Sequence, residues 1–455
     1  MKKFISSIWA MGMIFCMAST IYAGGFGITE KGVKGQGSAF SGNAASAEDA
    51  STIYWNPAGM TRLENSQMDL ALFSVTAKFK FQDESATDVL GQPIQPVGAN
   101  GGDAGFTAAV PNFFFSHKIN DNWSAGLGIV VPFGLGTEYD SNWVGRYHTI
   151  KSQITTYDIN PSVAYRFNSQ WSVGGGISFQ YLDAELTKAV DYGLLTTLNP
   201  KLGAMFPGLT PSSVSSDGLS KVKGDSWGYG FNLGVLFEWS AKTRFGLSYR
   251  SMIRQKVEDT LEFNDPATAP GISQAAFGGN QNAKATIDFP SSASLSGFHM
   301  INEKWAVKGD ITWTEWSTLD ELRITSEGDA PDSVTTLNWD DTWRLSAGVD
   351  WYYSSAWTWR TGIAYDPTPI PNAENRTPRV PDADRFWFAL GGTWKFAPAW
   401  SLDLAGTYIW ALHQPELNKM TPPLPAMNEN TSRGNLKGTY DAYSIVIGAQ
   451  INFTF

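Results

Sequence analysis

The last residues of the chain, 444–455, alternate without a break: Ile445, Ile447, Ala449, Ile451, Phe453 and Phe455 on one face, Ser444, Val446, Gly448, Gln450, Asn452 and Thr454 on the other. One greasy face and one small or polar face, ending on an aromatic carboxy-terminus, make the closing strand of an outer-membrane barrel. Such a strand needs lipid on one side and a lumen on the other, so it fixes the compartment. It also makes Phe455 the expected contact for the barrel-assembly machinery.

The other end agrees. Lys2 and Lys3 precede an apolar stretch, 4–17, and small residues lead to a cleavage position after Ala23. That reads as a secretory signal peptide, 1–23, because the stretch is shorter than the roughly 20 residues of a spanning helix. The only cysteine, Cys16, leaves with it, so no disulfide framework or thiol nucleophile is expected in the mature chain. The mean hydropathy of -0.20 looks soluble. In a barrel, however, every second residue can be polar while aromatics accumulate, and aromatics make 14% of this chain. A net charge of -10 without clustered Lys and Arg excludes nucleic acid as a partner.

Period-two alternation marks fourteen segments, near 67–80, 106–118, 123–137, 150–167, 171–188, 222–239, 243–260, 284–300, 304–326, 334–353, 356–366, 384–397, 400–412 and 438–455. Connections after even-numbered strands are tight, as at 120–122 and 397–399, and those after odd strands are long, as at 81–105 and 189–221. Tight turns face the periplasm and long loops the outside. The expected fold is all-β and transmembrane: a 14-stranded antiparallel outer-membrane β-barrel over 67–455, in the outer membrane of a gram-negative bacterium. A soluble sandwich would need a second sheet to cover the greasy faces.

Residues 24–66 show no alternation, yet carry Phe26, Ile28, Phe40, Ile53, Trp55 and Met60. A small helical N-terminal plug in the lumen is expected; a disordered tail is the alternative. The segment reads Gly35-Gln36-Gly37-Ser38-Ala39-Phe40-Ser41-Gly42, then Ala47-Glu48-Asp49-Ala50, then Asn56-Pro57-Ala58-Gly59-Met60. Further on come Pro132-Phe133-Gly134-Leu135, Asn160-Pro161-Ser162-Val163 and Arg376-Thr377-Pro378-Arg379-Val380-Pro381. In this order the motifs resemble the FadL family, outer-membrane transporters of long-chain fatty acids and, in one branch, aromatic hydrocarbons. The resemblance implies a hatch carrying Asn56, Pro57 and Ala58, a ligand contact at Phe26, and a wall opening in the third strand.

The residues themselves add candidates. Val130, Leu182, Leu236, Trp387, Ile409 and Val446 are apolar at lumen positions. They suit a hydrophobic ligand pocket, or packing against the plug. Leu194, Leu195, Leu198, Leu202, Met205 and Phe206 recur at nearly helical spacing in a long loop, as an external landing groove or as the loop's own core. A carboxylate needs a cation in an apolar interior. Arg323 is the candidate, with Leu322 and Ile324 taken as outward, and Glu321 its alternative partner. Pro132 inside a strand, with Phe133 and Gly134 following, predicts a lateral gate, or a bulge that shapes the rim. No cofactor or metal is expected, because the four histidines are scattered. The expected function is transport of a hydrophobic small molecule by a monomer in outer-membrane lipid. A general porin is the rival reading, and an outer-membrane lipase a weaker one.

Overall fold

The computed structural model describes residues 24–455; the expected signal peptide lies outside the described residues. Fourteen staves form one antiparallel sheet. They are β1 Gln67–Thr87, β2 Phe106–Lys118, β3 Trp123–Val130 continued by Gly134–Glu138, β4 Lys151–Arg166 and β5 Trp171–Asp191. Then follow β6 Asp217–Ser240, β7 Thr243–Arg250 with Ile253–Asn264, β8 Gln281–Phe289 with Ser292–Asn302, and β9 Trp305–Thr314 with Glu321–Ser326. The last five are β10 Ser333–Thr336 with Thr342–Tyr352, β11 Trp357–Asp366, β12 Arg385–Ala397, β13 Trp400–Ala411 with Glu416–Lys419, and β14 Asn435–Thr454. β14 pairs with β1 from Thr454 opposite Gln67 to Asn435 opposite Thr87, which closes the barrel. Among the described residues no helix is long and apolar enough to cross a membrane.

Alternation follows from the two solvents. Phe231, Leu233 and Ile447 are exposed on the lipid face, while Val446 and Trp387 are fully buried inside. Trp171, Trp305, Trp357 and Trp400 begin their staves at the short-turn end, and Tyr181, Trp227, Tyr408 and Tyr443 stand farther up, forming two aromatic girdles. Several staves expected to be continuous are interrupted. Proline explains two interruptions, since Pro132 and Pro290 cannot donate to a ladder. A 3-10 turn, Trp316–Thr318, interrupts β9.

Residues 24–66 lie inside this wall. They hold three one-turn helices, α1 Val33–Gln36, α2 Asn43–Ser46 and α3 Thr52–Trp55, then a 3-10 turn, Pro57–Arg62. Helices this short do not persist alone, so the barrel holds them. Asn56 does three jobs: its Oδ1 accepts from the Ala58 N–H at 3.1 Å, and its Nδ2 donates to the Ala44 and Val235 carbonyls at 2.7 and 2.9 Å. Pro57 opens the turn where no donor is needed. Arg244 donates to the Ala45 and Ser46 carbonyls at 2.7 and 2.6 Å, and Arg344 to that of Ala39 at 2.7 Å. Gln450 accepts from Val33 N–H at 2.8 Å, and Arg360 pairs with Glu48 at 3.1 Å. Burial opposes the Glu48 charge, yet Lys308 and Arg360 hold its pKa below the ordinary carboxylate range.

The barrel accommodates this segment by omitting β-carbons. A side chain at Gly246 would overlap the Ala44 carbonyl, and one at Gly362 the Ser38 carbonyl. A β-carbon at Gly391 would sit 2.7 Å from Gly37 Cα, and one at Gly174 2.5 Å from Ala58 N. Gly126, Gly234, Gly348 and Gly448 meet the same segment from other staves. Together they form a glycine girdle: at Gly174, Gly246, Gly348, Gly362 and Gly391 it meets backbone, and at Gly126, Gly234 and Gly448 the side chains of Ile53, Asn56 and Gln36. Gly362→Val should therefore push residues 36–41 off the wall, with an overpacking cost of roughly 1–3 kcal/mol. Amide exchange should rise across that stretch while the barrel stays folded. Gly406→Val, where an added β-carbon meets nothing within 4 Å, should leave exchange unchanged.

Candidate functional site

The wall is interrupted beside β3. The ladder between β2 and β3 joins only 113–118 to 124–129. Farther out, 134–138 pair with 151–155 of β4, and the outer half of β2 pairs with β1 alone among the described ladders. Between the two parts of β3 lie Val131, Pro132 and Phe133, outside any strand. The amino-terminal residues satisfy this edge from within: Ile28 N–H donates to the Pro132 carbonyl at 2.8 Å, and Gly134 N–H to that of Phe26 at 3.0 Å. Asn112 bridges the gap, accepting from Val131 N–H at 3.1 Å and donating to the Glu30 carbonyl at 2.7 Å. Lys31 adds a bond to the Val131 carbonyl at 3.0 Å.

Phe26 sits beside this break in an aromatic cluster, with ring centroids 5.1 Å from Trp316, 5.7 Å from Trp339, 5.8 Å from Phe289 and 6.1 Å from Phe133. A cavity of about 140 Å³ adjoins it, bordered by Phe133, Trp316 and Tyr54 but also by Arg250, Asp310 and Arg344. Phe26 and the gate residues Pro132, Phe133 and Gly134 are thus brought together. The six lumen candidates divide among separate clusters. Leu182 belongs to the apolar cluster around Phe26, Val130 packs with Ile53 and Met60, and Trp387, Ile409 and Val446 pack with Ile28 and Phe40. Leu236 is buried separately, and none of the six borders either cavity described here. The inner segment fills the lumen at their level, so an inward apolar side chain meets protein.

A second pocket, about 230 Å³, opens among the long loops. Its apolar walls come from Leu186, Val222, Leu261, Phe263 and Ile324, with Leu194, Leu195 and Leu198 from the helix Tyr192–Leu198. The expected external groove therefore divides: Leu202 and Phe206 pack with Tyr192 and Ile272 inside the loop, and Met205 is exposed.

Lys188 and Arg379 border the pocket's polar side, and Arg433 lies next to them. Lys188 Nζ and Arg433 Nη2 share Ser333 Oγ at 3.2 and 3.3 Å, and neither cation has a carboxylate within ion-pair distance among the described residues. Crowding is felt in the adjacent loops. Burial, then Arg433, pulls the Arg379 guanidinium down to about 9. Burial, Arg433 and Lys419 together pull His148 well below its usual value. The pocket thus combines apolar walls with a polar side that carries Lys188 and Arg379 and one lining carboxylate, Asp191. Alternation could have found Lys188, since it shares the inward face of Leu182, Ala184 and Leu186.

Arg323 requires a correction. Its side chain is exposed and bound by Glu321 at 2.6 Å and Asp332 at 3.1 Å, whereas Ile324 is the residue turned into the pocket. Outside the bilayer the outer face meets water and the inner face meets loops, so the apolar side of a stave is the inner one. The Ser66 hydroxyl lies 2.8 Å from His117 Nδ1, the Ser–His contact a lipase would require. Ser66 is buried, so it braces the ring rather than presenting a nucleophile. Among the described residues no cluster of His, Cys, Asp and Glu could hold a metal.

A family model described as "Outer membrane protein transport protein (OMPP1/FadL/TodX)" matches residues 14–455. The chain belongs to this family. It is 30% identical over 470 residues to a putative outer membrane protein of Neisseria meningitidis serogroup B, covering 99% of this chain and 98% of that one. It is 30% identical over 416 residues to the long-chain fatty acid transport protein of Escherichia coli K12, covering 88% and 91%. Among solved structures, a Pseudomonas aeruginosa FadL homologue superposes with a TM-score of 0.83 at 26% identity, over 95% of this chain and 100% of that one. The Pseudomonas putida toluene transporter TodX shares the fold, with a TM-score of 0.67 at 17% identity over 95% and 100%. Membership makes the chain an outer-membrane transporter of hydrophobic substrates.

Proposed function

We propose that this barrel takes up long-chain fatty acids or related apolar acids, that residues 24–66 plug it, and that the solute leaves sideways at the break in β3. The observation that carries the reading is the missing ladder between the outer half of β2 and β3, bridged by residues 26–31 and the Asn112 side chain and, at its outer end, by the Glu138 N–H donating to the Ala104 carbonyl at 3.1 Å. A closed barrel has no edges, so an unpaired stretch costs hydrogen bonds unless something else supplies them. Here the plug supplies them, and a shift of its amino-terminal residues would open the wall where Phe26 lies. An apolar solute leaving there enters lipid without crossing water, the favourable direction for its transfer. The glycine girdle favours this route over wholesale removal of the plug, because it fixes the plug at many staves at once.

The outer pocket supports the substrate class. Its apolar side suits an alkyl chain, and Lys188 with Arg379 and Arg433 suits a carboxylate. The E. coli relative's name points the same way.

Two measurements test these points. Cysteines introduced at 108–112 of β2 and 131–134 of β3 can be oxidised without competition, since the chain's only cysteine is Cys16. Uptake should fall on oxidation and recover on reduction; uptake unchanged by the cross-link rules out the lateral route. Lys188→Met should weaken oleate binding about tenfold or more, since a charge-assisted hydrogen bond contributes roughly 1.5–3 kcal/mol. Binding of a neutral alkane of similar length should not change, and Arg323→Ala should alter neither. Equal losses for acid and alkane would reject the carboxylate assignment.

A further inference from the structure

The outside of the barrel carries a hollow apart from the two cavities described above. It encloses about 910 Å³ across β9 to β14, on the wall that faces lipid. Its floor is formed where Gly392 and Gly406 place no side chain over the sheet, opposite the point where Gly391 is pressed against Gly37 inside. Leu390, Leu404 and Ile447 line its middle, and Trp305, Trp351, Trp357 and Trp394 stand round its lower rim. An added β-carbon at Gly406 meets nothing within 4 Å, so the space is real and opens outward. Elsewhere on this wall large residues such as Leu345, Ile363 and Phe388 project from the sheet.

We propose that this hollow seats a glycerophospholipid of the inner leaflet, with its acyl chains against the glycine floor and its phosphate at the short-turn end. The hollow is continuous with the surface the barrel already presents to lipid, which selects a lipid over a soluble partner. Its position selects the leaflet. Trp305 and Trp357 directly follow short turns, which are the periplasmic end of such barrels, and each leaflet supplies about half of a hydrocarbon core roughly 30 Å thick. Charge agrees. Lys304, in the short turn before Trp305, is exposed and has no ion pair among the described residues, with Glu303 beside it in sequence. Small residues allow close approach of a chain in lipid, where packing rather than the hydrophobic effect drives contact. Tryptophans at the girdle then hold the glycerol region.

The test uses the mature barrel in vesicles containing phosphatidylethanolamine with a photoactivatable diazirine in one acyl chain. Cross-links should concentrate on peptides carrying Trp359, Leu390 and Leu404. Gly406→Phe, which fills the hollow without touching the plug, should remove that concentration while the unboiled protein keeps its folded gel mobility. Leu233→Phe, on a lipid-facing position of another stave, should change nothing. The proposal fails if labelling is spread evenly round the barrel, or if Gly406→Phe leaves it unaltered. It also fails if oleate displaces the phospholipid from the hollow, or if chemical cross-linking shows a second copy of this chain seated there.

Discussion

Contact between the inner segment's backbone and a barrel wall without β-carbons organises this molecule. Short helices such as α2 and α3 have no stability of their own. They are held because Gly246 lets α2 and Gly126 lets α3 lie against the sheet, while Gly348, Gly362 and Gly391 seat the chain between α1 and α2, and because Arg244, Asn56 and Arg344 then meet the carbonyl groups of Ala45, Ala44 and Ala39. Buried ion pairs such as Arg360 with Glu48 and Lys308 with Asp350 contribute position more than stability, since desolvation offsets most of their attraction. With the segment fixed at this level, only its amino-terminal end remains to meet the broken edge of β3. The aromatic cluster of Phe26, Trp316 and Phe133 forms there.

Two solvents explain which parts of the fold could be read from the sequence. Within the bilayer, lipid demands an apolar outer face, so β5, β6, β13 and β14 declare themselves by period two. Above the girdle that demand reverses. Arg323 and Ile324 stand on the faces opposite to those that a lipid-facing apolar side implies, because they lie beyond the lipid. The outer helices divide for a related reason: Leu194 and Leu198 cover the pocket, while Leu202 and Phe206 serve the loop's own core.

Other features left no local trace. A strand glycine reads equally as a bend, a bulge or a close approach, and only the position of residues 36–59 reveals which. Trp387, Ile409 and Val446 are turned inward, as period two implies, and are covered by Ile28 and Phe40, which leave no mark in the staves' own sequence. Pro132 was the exception, because a missing N–H in a closed sheet has a consequence independent of context. Asn112, which repairs that edge, carried no such signal.

The proposed route would run from the outer pocket, with its apolar walls, Lys188 and Arg379, to the break in β3. The central claim is that the folded barrel is closed along its axis while the inner segment is in place. Single-channel recording of the mature protein in a planar bilayer tests this most directly. The account predicts no steady ion current with residues 24–66 present, and a steady current when they are deleted from a barrel that still folds. A steady, ohmic current through the intact protein would contradict it.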